Sequence, residues 1–145
     1  MKFQTGEKLD NFMFDTPFEP GLELKETAER VSGRTAHLFL RYYGCTLCQL
    51  VIHRLAAGYG EIRKTGGQVL VVLHSRPQTI AGQVKPDDLP FDIICDPEGK
   101  LYETYEINPA PSMEAMVDAP TMEKIKAAQA EGFQHGEYEG NELQL

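Results

Sequence analysis

The sequence predicts an α/β domain: a mixed β-sheet with helices on both faces and an N-terminal strand extension. Three observations carry this. Thr35 to Tyr43 is apolar and β-rich enough for a buried central strand. Gln68 to His74 (Gln-Val-Leu-Val-Val-Leu-His) is nearly continuous apolar sequence, the pattern of a strand covered on both faces. Between them, Leu47, Leu50, Val51, Leu55 and Ile62 recur at helical spacing, predicting a long amphipathic helix from Cys45 to Lys64 that Gly66-Gly67 closes. Strand, helix and strand over residues 35–74 form one βαβ unit, and such crossovers are right-handed.

The remaining elements follow in order. Residues 1–22 mix turn formers with short apolar pieces such as Phe12-Met-Phe14, which predicts an N-terminal strand pair or extended arm. Leu24, Ala28 and Val31 give a helix over Glu23–Ser32, with Gly33 as its stop. Pro77 opens a short helix through Val84, because its missing N–H costs nothing in a first turn. Pro90 to Cys95 reads as a third strand, Asp96-Pro-Glu-Gly99 as a turn and Leu101–Tyr105 as a helical turn. Asn108-Pro-Ala-Pro111 breaks the chain. Met122, Ile125 and Ala128 mark a last helix over Thr121–Glu131, and Leu143-Gln-Leu145 alternates like the start of a strand.

With 145 residues, the chain is the size of one ordinary domain. It carries 22 acidic against 14 basic residues, a net charge of −8, and the basic residues are scattered, which disfavours nucleic acid or an anionic membrane as partner. No stretch approaches the roughly 20 apolar residues of a membrane span. Three cysteines and no apolar leader argue against a disulfide scaffold, so a cytoplasmic location is expected.

Chemistry concentrates at Cys45-Thr-Leu-Cys48. A first cysteine at a helix start meets unpaired backbone N–H groups and the positive end of the helix dipole, which stabilise its thiolate. Residues i and i+3 share a helix face, with Cβ atoms about 5–6 Å apart, so a disulfide is within reach. The pair is therefore expected to cycle between dithiol and disulfide, Cys45 as nucleophile and Cys48 as resolving partner; the plain alternative for both is apolar packing. A zinc site would need two further ligands, with Cys95 and His53 or His74 as the only obvious choices and no second knuckle, so neither metal nor cofactor is expected.

With these residues in place, the chain resembles the thioredoxin-like superfamily, and within it the peroxiredoxin-like branch of alkyl hydroperoxide reductases and thiol-specific antioxidants. The matching stretches are Leu38-Phe-Leu-Arg-Tyr-Tyr-Gly-Cys-Thr-Leu-Cys48, Val69–His74 and Ile94-Cys-Asp-Pro-Glu-Gly-Lys-Leu-Tyr-Glu-Thr-Tyr105. Gly6–Phe12 is similar to the family's first strand. The resemblance implies a thiol peroxidase that reduces hydroperoxides through the Cys45–Cys48 cycle and is reset by an external dithiol such as a thioredoxin-type protein. A disulfide oxidoreductase acting on protein disulfides, and a redox-inert binding module, are the alternatives. The family's Pro-x-x-x-Thr-x-x-Cys pattern is absent: aligned on Cys45, Leu38 and Tyr42 stand at its proline and threonine. A family β-hairpin bearing a cis-proline does not follow residue 131 either. The expectation is truncation just before it, with Asn141–Leu145 as its lead-in, and an open sheet edge that favours homodimerisation.

Auxiliary roles fall to three residues. Arg41, two residues before Tyr43, is a candidate to lower the Cys45 pKa or bind an oxyanion. Tyr42 or Tyr43 could offer a hydroxyl in place of the family's threonine. Cys95, at a strand end, is either buried structure or a second resolving thiol. His53 lies about two helical turns beyond Cys45 and is expected to face solvent. Met113, Met116 and Met122 read as helix core or loop filler.

Overall fold

A computed structural model describes residues 3–144. Its centre is a three-stranded parallel sheet in the order β3-β4-β5, formed by β3 (Thr35–Phe39), β4 (Gln68–Leu73) and β5 (Ile93–Cys95). Thr35 pairs with Gln68 and Phe39 with Val72; Val71 pairs with Ile93 and Leu73 with Cys95. Upstream, β1 (Met13–Phe14) and β2 (Leu22–Glu23) make the expected N-terminal strand pair. An antiparallel bridge between Asp15 and Cys95 joins that pair to the sheet and makes it mixed.

The apolar run of β4 is covered on both faces. Val69, Val71 and Leu73, with Ile93 and Cys95, pack under α2 (Thr46–Ala57), α3 (Tyr59–Lys64) and α4 (Pro77–Ala81) through Ile52, Tyr59 and Ile80. Leu70, Val72 and Ile94 face Phe14, Leu24 of α1 (Leu24–Ala28) and Tyr102 of α5 (Lys100–Thr104). A period of two on one strand thus builds two cores, each the anchor of one helical layer. Two further helices, α6 (Met113–Met116) and α7 (Ala119–Ala130), follow, and α7 packs against α2.

Four sequence expectations need correction. The Cys45–Lys64 helix is two helices that meet at Gly58. Glycine is a poor helix former, and the break turns Tyr59 into the core, where its hydroxyl accepts the Val69 N–H at 3.0 Å. The strand expected to be central, Thr35–Tyr43, is an edge strand that ends at Phe39, and β4 takes the centre. Beyond Phe39 the main-chain bonding to β4 runs on for two residues, Leu40 N–H donating to the Val72 carbonyl at 3.0 Å and His74 N–H to the Arg41 carbonyl at 2.8 Å, and it stops where Tyr43 N–H turns to Ser75 Oγ at 2.8 Å. The Asn141–Leu145 segment is not the lead-in to a strand. Gln144 N–H turns back onto the Asn141 carbonyl at 3.0 Å, and Leu145 lies outside the described residues. In place of a hairpin, residues 133–144 form an irregular strap that returns to the sheet end where the cysteines lie. Finally, the helix expected over Glu23–Ser32 is a single turn, since the chain bends after Ala28 to let Gly33 N–H reach the Gly66 carbonyl at 2.8 Å.

Candidate active site

The loop from β3 to α2 presents the two cysteines. Cys45 is the N-cap of α2, with extended backbone (φ −67°, ψ 124°), and its N–H closes a tight turn onto the Tyr42 carbonyl at 3.1 Å. Cys48 lies one helical turn on. Both thiols are free and buried, 4% and 5% exposed, so what reaches them enters through a cavity. That cavity, of about 350 Å3, is lined by Cys45 and Cys48 with Phe39, Leu40, Leu47 and Val51 on one side. Met116, Val117 and Ile125 form the other, and Arg41, Gln129 and His135 are its polar rim.

The electrostatics set the two sulfurs apart. Cys45 is brought down to about 6, first by hydrogen bonding from the Cys48 thiol and, against the opposing effect of burial, by the Cys48 amide and the Arg41 guanidinium. Arg41 Nη1 donates to the Cys45 sulfur at 3.5 Å. Cys48 is driven the other way, because its proton is held by the Cys45 sulfur and because it is buried. Opposite shifts on adjacent sulfurs mean that Cys45 gives up its proton more readily than Cys48, the condition under which one thiol of a pair ionises first.

The C-terminal strap fixes this loop. Gly136 N–H donates to the Gly44 carbonyl at 2.8 Å, and Gln49 Nε2 donates to the same carbonyl and to that of Gln134 at 2.9 Å. The approach is so close that a Cβ on Gly44 would collide with the Gly136–Glu137 backbone. Arg41 Nη2 donates to the Glu142 carbonyl. Tyr42, fully buried, has its hydroxyl in a hydrogen bond of 2.8 Å with His135 Nε2 and is pushed up to about 12 by burial.

The sequence candidates are thus distributed as follows. Cys45, Cys48 and Arg41 come together around one cavity. Tyr42 supports the loop from behind, with its hydroxyl committed to His135. Cys95 lies apart, in the core and against a second cavity shared with Asp15 and Met13, and is pushed up to about 12 by burial and by Asp15 and Glu139. His53 is exposed, with its ring beside Phe133 at 5.4 Å. Among the described residues no three His, Cys, Asp or Glu side chains are grouped to hold a metal ion. Sequence reasoning missed the far wall: Met116, Val117 and Ile125. Met116 reads from sequence as helix core or loop filler and Ile125 as part of an apolar helix face, but nothing local tells which partner either meets.

Comparison with known proteins agrees with this geometry. The AhpC/TSA family model matches residues 20–128, which is most of the chain. The chain belongs to the AhpC/TSA family. No curated protein gives a significant match to this AhpC/TSA protein. Among solved structures it is similar to a putative thiol:disulfide interchange protein DsbE from Chlorobium tepidum (TM-score 0.57, 16% identity, 74% of each chain covered). It is also similar to an uncharacterized conserved protein from Geobacillus kaustophilus (TM-score 0.58, 13% identity, covering 94% of this chain and 87% of that one). At such identities the likeness establishes the shared fold. Family and fold together make the chain a member of the thioredoxin-like thiol redox proteins, as the Cys45–Cys48 motif implies.

Proposed function

We propose that this AhpC/TSA protein is a thiol peroxidase that works through a local dithiol cycle. The Cys45 thiolate attacks the O–O bond of a hydroperoxide, forming a sulfenic acid and releasing an alcohol or water. The Cys48 thiol condenses with the sulfenic acid, expelling water and closing a Cys45–Cys48 disulfide. An external dithiol, as a cytoplasmic setting supplies, returns both thiols and leaves oxidised. One observation carries this reading: the Cys45 sulfur, with the Arg41 guanidinium on it at 3.5 Å and the Cys48 thiol one helical turn away, opens onto an apolar cavity too small for a folded protein surface. Arg41 can stabilise the charge that develops on the leaving oxygen.

A second reading, thiol–disulfide exchange without oxygen chemistry, is favoured by a specific observation. The Tyr42 hydroxyl, which stands at the family's threonine position, is tied to His135 instead of being free to orient a peroxide. The Chlorobium neighbour, a putative thiol:disulfide interchange protein, points the same way. Intact-mass analysis decides between them. Under the peroxidase reading, one equivalent of hydroperoxide removes two hydrogens from the wild-type protein, and Cys48→Ser gains one oxygen. If peroxide leaves the mass unchanged while a small disulfide oxidises the pair, the exchange reading replaces it.

A further inference from the structure

The outer edge of β3 runs directly into the cysteine cavity. Gln68 N–H donates to the Arg34 carbonyl at 2.9 Å, and Leu40 N–H donates to the Val72 carbonyl at 3.0 Å. With the Thr35–Gln68 register, these bonds place the main-chain groups of Ala36 and Leu38 toward β4 and those of Thr35, His37 and Phe39 away from it. Among the described residues those three have no strand on their outer side. Phe39, the last of them, is also a wall of the cavity that holds both sulfurs.

The occupant follows from charge and access. Arg34 stands at the end of this edge away from the cavity, Arg41 is held at the cavity against the Cys45 sulfur, and no acidic residue lies between them, in a chain of net charge −8. Antiparallel self-pairing about His37 would set Arg34 of one copy opposite Leu40 of the other, next to its Arg41, and would do so twice. Like charges so placed oppose a second copy. An oxidised Cys45–Cys48 pair must nevertheless be reached through the cavity, which admits a few side chains but no folded surface.

Resting on the dithiol cycle above, we propose that the outer edge of β3 and the adjoining cavity receive the dithiol reductant as an extended polypeptide segment. The segment adds a strand to β3, is apolar around its cysteine and acidic toward the end that lies by Arg34. Its thiolate attacks the Cys45 sulfur and releases Cys48, which takes up a proton. Its second thiol then displaces Cys45, so two electrons pass to the pair and the partner leaves as a disulfide.

The test measures reduction of the oxidised full-length protein by dithiothreitol and by a short synthetic dithiol peptide that is apolar around its cysteines and acidic at the end that would lie by Arg34. The peptide is used unmodified and with every second amide N-methylated, in both phases. Strand addition predicts that one phase slows reduction about tenfold and the other hardly at all, as expected for loss of main-chain hydrogen bonds along one edge. Replacing the acidic end by lysine also slows it. His37→Pro, which removes an outward N–H, lowers the ratio of peptide to dithiothreitol rates by a similar factor. Equal rates for both methylated phases overturn the proposal. So does sedimentation showing a dimer that His37→Pro dissociates, since the edge is then taken by a second copy. Failure of any oxidant to form the Cys45–Cys48 disulfide overturns instead the cycle on which the proposal rests, and is seen before any peptide is added.

Discussion

Arg41 and Cys45 are joined by a hydrogen bond of 3.5 Å from guanidinium to sulfur, and the same guanidinium is held from behind by the Glu142 carbonyl. The cation that steadies the thiolate is therefore itself positioned by a segment about a hundred residues further along the chain.

The first prediction concerns ionisation of Cys45. Alkylation of the reduced protein by iodoacetamide should rise with pH to half its maximum near 6. Cys48→Ala removes the largest stabilising effect and should move that midpoint up the most. Arg41→Met should move it by about one unit, the low end for a lost opposite charge. An unmoved midpoint in both variants would sink the assignment of Cys45 as the activated thiol.

The same shift has a consequence for stability. The folded value of Cys45 lies below its unfolded one, so the unfolded chain binds more protons between the two. The contribution of Cys45 is complete above the unfolded value and is lost as pH falls through about 6. Cys48 acts oppositely: its raised folded value stabilises fully below the ordinary thiol range and ceases to do so above it. Reduced wild-type protein should thus gain stability from pH 6 toward pH 8 relative to Cys45→Ala, as urea unfolding at several pH values will show.

Tyr42→Phe separates support from chemistry. Loss of the bond to His135, which water can replace at the exposed ring, should cost about 1 kcal/mol in thermal unfolding. Cys45 alkylation should keep its pH midpoint. A large fall in peroxide rate at unchanged alkylation would instead make the Tyr42 hydroxyl a participant in the reaction.

Gly44→Ala tests the strap. The added methyl meets the Gly136–Glu137 backbone, which cannot yield cheaply, so a loss of about 1–3 kcal/mol is expected. Because the strap also carries Glu142, the variant should share part of the upward shift of Arg41→Met in the alkylation profile.

Cys95→Ala should leave the redox cycle intact. Its sulfur belongs to the core and to a cavity other than that of Cys45 and Cys48. Peroxide should still remove two hydrogens in the mass spectrum, at a stability cost of about 1 kcal/mol for the small void created.

Much of this molecule is legible locally. The β4 run, the Cys45-Thr-Leu-Cys48 motif at a helix start and the Asp96–Gly99 turn leading into α5 each follow from short-range pattern and turn chemistry, and the structure contains them all. Gly58 does not show as a helix break in the sequence because apolar spacing runs on through it. Only the chance to bury Tyr59 against Val69 makes the interruption favourable. The rank of β3 in the sheet was likewise hidden, since an apolar strand reads as central whether or not a neighbour exists on its far side.

What the sequence determined by itself is the α/β class, the βαβ unit and the placing of two thiols on the first turn of a helix, because periodicity and capping act over a few residues. What only the tertiary structure decided is the environment of those thiols: the guanidinium anchored by Glu142, the strap against Gly44 and the apolar wall from Met116, Val117 and Ile125. These join residues 70 to 100 positions apart, and which surfaces meet at such separations is settled by packing of the whole chain, not by any window within it.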